Sequence, residues 1–401
     1  MNLDQIKSPK RKWRLWSTLA FLSAFPALAT DMYLPSFPKV ASHFDVPIST
    51  VGLTLSAFFV GTALGQLMWG PLSDRFGRKS PTFLGIVIFI AGSILCFLAP
   101  TLPVLVLARF VQAFGGSAAM VISRAITRDL FSGQQMAQTM SAVSSIFMAA
   151  PILAPSIGSL ILMFANWTSI FLVLAVFGLL IGLNFLSFPE TLEKRPNDSE
   201  QKINIFRSYF GILRNQEFLL SASQLVFSSF FLFTYISLIP AVAMNEFGFS
   251  TVQFGLLFGG NALALILGSQ INFRLLKTRQ VRQALKFFVA VQVVASILFL
   301  VSVIIFHALF ISLPFLVIAI GCAPAIGGNS TTLAMEPFKE KAAQASALIG
   351  TIQSLGAASV AAVLVFIPGD AFFKMACAMT VISVISITIF SLRRNTTKSS
   401  S

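Results

Sequence analysis

The stretch GPLSDRFGRKS, Gly70 to Ser80, lies between two apolar runs, 49–70 and 81–99. It holds one acid, Asp74, among three cations, Arg75, Arg78 and Lys79. Gly70 and Gly77 permit close helix approach or unusual backbone angles. Pro71 lacks the N–H that a helix interior needs. Asp74 is placed to accept from Arg75, Arg78 or a neighbouring helix N-terminus. A short polar connection of this kind, with an apolar run on each side, reads as a loop joining two membrane helices.

The rest of the chain repeats that plan. Hydrophobic residues make up 56% and charged residues 10% of 401 positions, against roughly 45–50% and 25% in soluble domains. So few charges cannot cover a water-facing surface, whereas an apolar surface suits lipid. A span needs about 20 apolar residues, and twelve are read: 15–37, 49–70, 81–99, 104–124, 137–163, 167–188, 217–240, 251–273, 284–306, 309–330, 344–366 and 371–392. Lipid offers the backbone no partners, so these are expected as helices. The predicted fold class is all-α, with twelve transmembrane helices in two pseudo-symmetric bundles of six.

The net charge of +14 invites a nucleic-acid reading, but the cations cluster between apolar runs instead of forming one polar face. With twelve spans and both termini inside, 25 of the 28 Lys and Arg fall on one side. Only Lys39, Arg109 and Lys374 remain. The positive-inside rule therefore places both termini in the cytoplasm. Loss or gain of one span would scramble this pattern. The predicted domains are 1–188 and 217–401, joined by a polar cytoplasmic linker at 189–216. An amphipathic surface helix over 203–214 fits the linker. The halves echo each other weakly: GQLMWGPLSDRFGRKS after span two corresponds to GSQINFRLLKTRQVRQ after span eight, as in transporters built of two parallel repeats. KSPKRKWR followed by an apolar run resembles a signal peptide, but the apolar character continues past Ala29 and a permanent anchor is expected. Cys96, Cys322 and Cys377 show no metal-ligand or disulfide spacing and are expected as small buried hydrophobes.

The order G-x-L-x-D-R-x-G-R-K at Gly70, Asp74, Arg75, Gly77 and Arg78 resembles the signature loop of the major facilitator superfamily. The resemblance implies a latch that holds the cytoplasmic side when the cavity opens outward. LARFVQAFGGSAAM, 107–120, is similar to that family's R-x-x-Q-G-x-G motif: Arg109, Gln112 and Gly115 match, while Ala113 replaces a usual Gly. AAPILAPSIGSL, 149–160, resembles its antiporter motif through Ala150, Ala154, Pro155 and Gly158. That motif implies an exporter. A plain packing face of small residues is the other reading. TDMYLPSFP, SRAITRDLFSG and PETL resemble the Bcr/CflA branch of drug-resistance transporters. The branch implies exchange of a cytoplasmic compound for protons across a bacterial inner membrane. Multidrug efflux is expected, with export of a specific native metabolite such as a siderophore, amino acid or nucleobase as the alternative.

Asp31 is the one acid read well inside a span, and an acid there is costly, roughly 2.5–3.5 kcal/mol at a helix centre. Arg109 is its basic counterpart. At ~1.5 Å per residue from the outer edge, both lie roughly 8–9 Å deep. They are read as a structural pair that neutralises both charges, or as a proton-coupling switch in which Asp31 carries the proton. Intramembrane acids usually mark a function, which favours the switch. Tyr33, Gln112, Tyr235, Asn261 and Gln270 are candidate cavity residues, or packing groups satisfied by nearby carbonyls. The 42 Phe residues suit aromatic substrates and lipid contact equally.

No P-loop spacing precedes Lys79, and no HExxH or paired acids appear, so neither an ATP-driven pump nor a membrane enzyme is indicated. No filter-like repeat suggests a channel. No metal and no cofactor are expected. The expected partners are a small molecule, protons and the lipid bilayer, with the chain acting as a monomer.

Overall fold

The computed structural model describes residues 9–131, 153–192, 210–367 and 369–396. The described residues are helical and contain no strand. In the first half the helices are α1 (Pro9–Asp31), α2 (Phe37–Phe44), α3 (Ile48–Phe76), α4 (Lys79–Phe97), α5 (Leu102–Leu130), α6 (Leu153–Phe164) and α7 (Ser169–Leu186). In the second they are α8 (Gln216–Pro240), α9 (Thr251–Leu275), α10 (Val281–Phe306), α11 (Leu309–Met335), α12 (Ala342–Phe366) and α13 (Ala371–Thr396). Among the described residues, ten helices are long and apolar enough to cross a membrane. The beginning of the expected fifth span lies outside the described residues, and α6 is its visible end.

Two boundaries differ from the sequence reading in ways that matter. The second span, expected at 49–70, continues as one helix through Pro71 to Phe76. Hydropathy marks the thickness of the hydrocarbon, and the helix extends past it into the polar loop. The first span, expected to reach residue 37, ends as an α-helix at Asp31. Pro35 and Pro38 disfavour α-helix at the residues before them, and the chain passes through a 3₁₀ turn at Leu34–Ser36 into α2. Asp31 is therefore the last residue of a helix.

The chain divides into two compact units, residues 1–46 with 53–202, and residues 47–52 with 203–401. In the first unit α4 packs on α5 and α7, and α1 packs on the same two. In the second, α10 packs on α11 and α13, and α8 packs on the same two. The two patterns match when α1, α4, α5 and α7 are paired with α8, α10, α11 and α13. Glycines repeat too. A Cβ at Gly65 of α3 would overlap Ser117 of α5, and one at Gly268 of α9 would overlap the Gly321 carbonyl of α11. The weak sequence echo is thus a structural repeat.

Two of the three cations left over from the positive-inside tally cap helix ends. Lys39 Nζ donates to the Leu162 carbonyl at 2.8 Å, near the end of α6, and Lys374 Nζ to the Ile367 carbonyl at 2.9 Å, just past α12. These are the positions where carbonyls lack intrahelical partners.

Candidate functional site

Arg109 of α5 is fully buried. Its guanidinium carbon lies over three rings, Phe58 at 4.3 Å, Tyr33 at 4.9 Å and Phe171 at 5.6 Å. Nη1 donates to Gln112 Oε1. Gln112 Nε2 donates to Ser93 Oγ of α4 at 2.8 Å, and Ser93 Oγ to the Phe89 carbonyl. Among the described residues, Nε and Nη2 of Arg109 find no acceptor. Tyr33 is held from its other end by Thr54, whose Oγ1 donates to the phenol oxygen at 3.3 Å.

The helices come close enough to build this cage because of glycines on α3 and α4. A Cβ at Gly92 would overlap the Gln112 backbone, and one at Gly61 would overlap the Phe110 carbonyl. Ala113, where the family pattern has Gly, is buried beside Gly61. The close approach is supplied from the facing helix.

Asp31 is also buried. It makes no ion pair with Arg109 among the described residues, so the pair open in the sequence reading is not formed here. The reason is the early end of α1: the chain turns after Asp31 and sends Tyr33, not the carboxylate, to the Arg109 guanidinium. The next residue meets the antiporter-like motif. A Cβ at Gly158 of α6 would overlap the Met32 carbonyl. Ala154 and Pro155 are buried on the same helix, while Ala150 lies outside the described residues.

The 70–80 loop forms a second network. Arg78 Nη1 donates to Asp74 Oδ1 at 2.5 Å and to Ser73 Oγ at 2.9 Å, and Nε donates to Asp129 Oδ2 at 2.7 Å. Gly77 has φ +90°, which L side chains rarely adopt. Across from it, Glu190 accepts backbone N–H bonds from Arg78 at 2.7 Å and Lys79 at 3.0 Å, and others from Thr191 and Leu192. Partial burial raises the Glu190 pKa, but these four amides outweigh it and hold the carboxyl below its usual range. Arg75 points away, over the Phe76 ring. A Cβ at Gly70 would sit 4.0 Å from Val121 Cγ1, an ordinary contact, so among the described residues no close approach requires glycine there.

Asp129 and Glu190 were missed as site residues. Both stand in stretches that resemble the family branch, SRAITRDLFSG and PETL, yet nothing local assigns them to Arg78 or to the start of α4. Of the remaining candidates, Tyr33 and Gln112 belong to the Arg109 cage. Tyr235 and Asn261 bond each other, with Asn261 Nδ2 donating at 2.7 Å, in the second unit. Gln270 is exposed. Among the described residues, no group of His, Cys, Asp and Glu is arranged to hold a metal.

A helical multi-pass membrane protein made of two such repeats, with a basic loop latched to its own helix ends, has the design of a transporter. Residues 19–361 match the model of the Major Facilitator Superfamily, and the chain belongs to that family. It is 32% identical over 381 residues, 92% of this chain and 93% of the relative, to a bicyclomycin resistance protein homolog of Haemophilus influenzae. It is 28% identical over 90% of both chains to the multidrug resistance protein MdtL of Shewanella oneidensis. The crystal structure of a D-xylose-proton symporter superposes with a TM-score of 0.71 at 14% identity, covering 94% of this chain and 97% of that one. The last likeness shows the fold alone. The chain is a transporter and not an enzyme.

Proposed function

We propose that this chain exports small molecules, drugs among them, across a bacterial inner membrane in exchange for protons, with both termini in the cytoplasm. Its two six-helix bundles, 1–188 and 217–401, are joined by the 189–216 linker, and the chain acts as a monomer by alternating access. Asp31 carries the proton. The observation that carries this reading is a buried acid that makes no ion pair with Arg109 among the described residues, at the end of a helix whose next residue meets the antiporter-like motif. A carboxyl removed from water and left unpaired is neutralised by a proton. Among the described residues, two guanidinium nitrogens of Arg109, Nε and Nη2, have no acceptor inside the aromatic cage. These would meet Asp31 in the state from which the proton has left. The Arg78–Asp74–Asp129 network and Glu190 hold the cytoplasmic loop as a latch. Resistance-protein relatives support drugs as cargo, and a symporter of the same fold means that the fold alone does not set the direction of coupling.

The test is proton flux in liposomes holding a pH-sensitive dye, with an imposed proton gradient and a panel of toxic compounds. Compound-dependent flux in the wild type is expected to vanish in Asp31→Asn. Flux that persists in the variant would move the proton site elsewhere.

A further inference from the structure

We infer that the turn between α9 and α10 is a docking site for an anionic phospholipid. Arg274, Lys277, Arg279, Arg282 and Lys286 lie within thirteen residues, and all five are exposed. One acid serves them: Glu217 Oε1 lies 3.3 Å from Arg282 Nη2. Among the described residues the other four make no ion pair. Lys277 instead places its Nζ 5.2 Å from the Phe273 ring.

The repeat sharpens the contrast. With Gly65 set against Gly268, Asp74 of the first loop corresponds to Lys277 and Arg78 to Val281. In the first loop one cation is neutralised, Arg78, which is drawn inward between Asp74 of the loop and Asp129 of α5. The second has exchanged its acid for a base and its inward-turned cation for an apolar residue. Five cations that repel one another are left facing outward, and their counter-charge must come from outside the turn.

The surroundings say which anion fits. Phe273 and Phe287, at the two ends of the turn, are 62% and 50% exposed, and Ile271 is 53% exposed. Phosphate at headgroup level meets the cations while acyl chains cover these side chains. A soluble anion, a nucleic acid or an acidic protein would leave the apolar groups uncovered. Juxtamembrane clusters of four to eight Lys and Arg attract anionic lipid by about fivefold in affinity per cation. The inference rests on the membrane-transporter reading but not on proton exchange.

The test is lipid retention on the purified full-length protein, measured by native mass spectrometry with phosphatidylglycerol and phosphatidylcholine in competition. The wild type is expected to retain phosphatidylglycerol. Lys277→Gln/Arg279→Gln/Lys286→Gln should weaken that retention by about fivefold for each cation removed. Lys194→Gln/Arg195→Gln/Lys202→Gln, which removes the same charge from the linker, should retain it as the wild type does. Thermal stabilisation of the wild type by phosphatidylglycerol but not phosphatidylcholine, lost in the first variant alone, would support the site by a second route. Equal retention by all three proteins, equal loss in both variants, or displacement of the lipid by inorganic phosphate at fixed ionic strength would each overturn it.

Discussion

Replacing Arg109 with Met separates function from stability. The three rings around the guanidinium contribute about 1 kcal/mol each, and the charge-assisted bond to Gln112 about 1.5–3 kcal/mol. Against this, each of the two unmatched nitrogens, Nε and Nη2, costs about 1–3 kcal/mol, and stripping water from the ion costs several kcal/mol more. The opposing sums are close, and the balance lies slightly against the charge. Met has a similar length and packs well on aromatic rings, although it leaves Gln112 Oε1 without its donor. Arg109→Met should therefore be as stable as the wild type or up to about 3 kcal/mol more stable. Transport should nevertheless be abolished. Reversible unfolding in mixed micelles gives the first quantity, and compound-driven proton flux in liposomes the second. A loss of more than about 3 kcal/mol would show that the cage is structural cement and refute the argument. Normal flux in a stable Arg109→Met would refute the coupling role.

Gly77→Ala forces a side chain into a left-handed backbone, at about 1–2 kcal/mol, and places its Cβ 2.5 Å from Glu190 Oε2. Glu190 should then lose the amides at the start of α4, and turnover should fall severalfold while equilibrium binding of a transported compound is kept. Unchanged turnover, or binding lost along with it, counts against the latch. In the second unit His307 Nε2 lies 3.0 Å from Asp370 Oδ2. The hydrogen bond to Asp370 raises the His307 pKa, against a small lowering by burial. Burial raises Asp370, but bonds from Glu246, His307 and the amides of Phe373 and Phe372 bring it down to about 2. The imidazolium contributes stability below its ordinary value and loses it as pH rises through the raised one. The carboxylate contributes above its ordinary value and loses it only as pH falls toward the depressed one. His307→Gln should thus destabilise most between about pH 4 and pH 6.5, by no more than about 1 kcal/mol for so exposed a pair. Melting curves across pH check this, and a gap that widens in alkali contradicts it.

How far each element was legible depends on how local its cause is. The span plan follows from hydropathy and loop charge, because the bilayer selects segment length and the positive-inside rule selects sides, both read along the chain. The loop at 70–80 carried its family resemblance in five residues. The end of α1 was misplaced by six residues because hydropathy continues through MYLPSFP while the prolines stop the helix.

The sequence by itself determined that this is a polytopic helical protein of two repeated halves, and it singled out Asp31 and Arg109 as costly charges inside spans and the 70–80 loop, with Arg78, as a charged motif. Only the tertiary structure decided what surrounds them. Tyr33, Phe58 and Phe171 reach Arg109 from three other segments, Asp129 and Glu190 reach the Arg78 loop from 51 and 112 residues away, and Gly158 meets Met32. Contacts so far apart in the chain leave no period or spacing to read. They are set by which helices pack together and by where glycines let them approach.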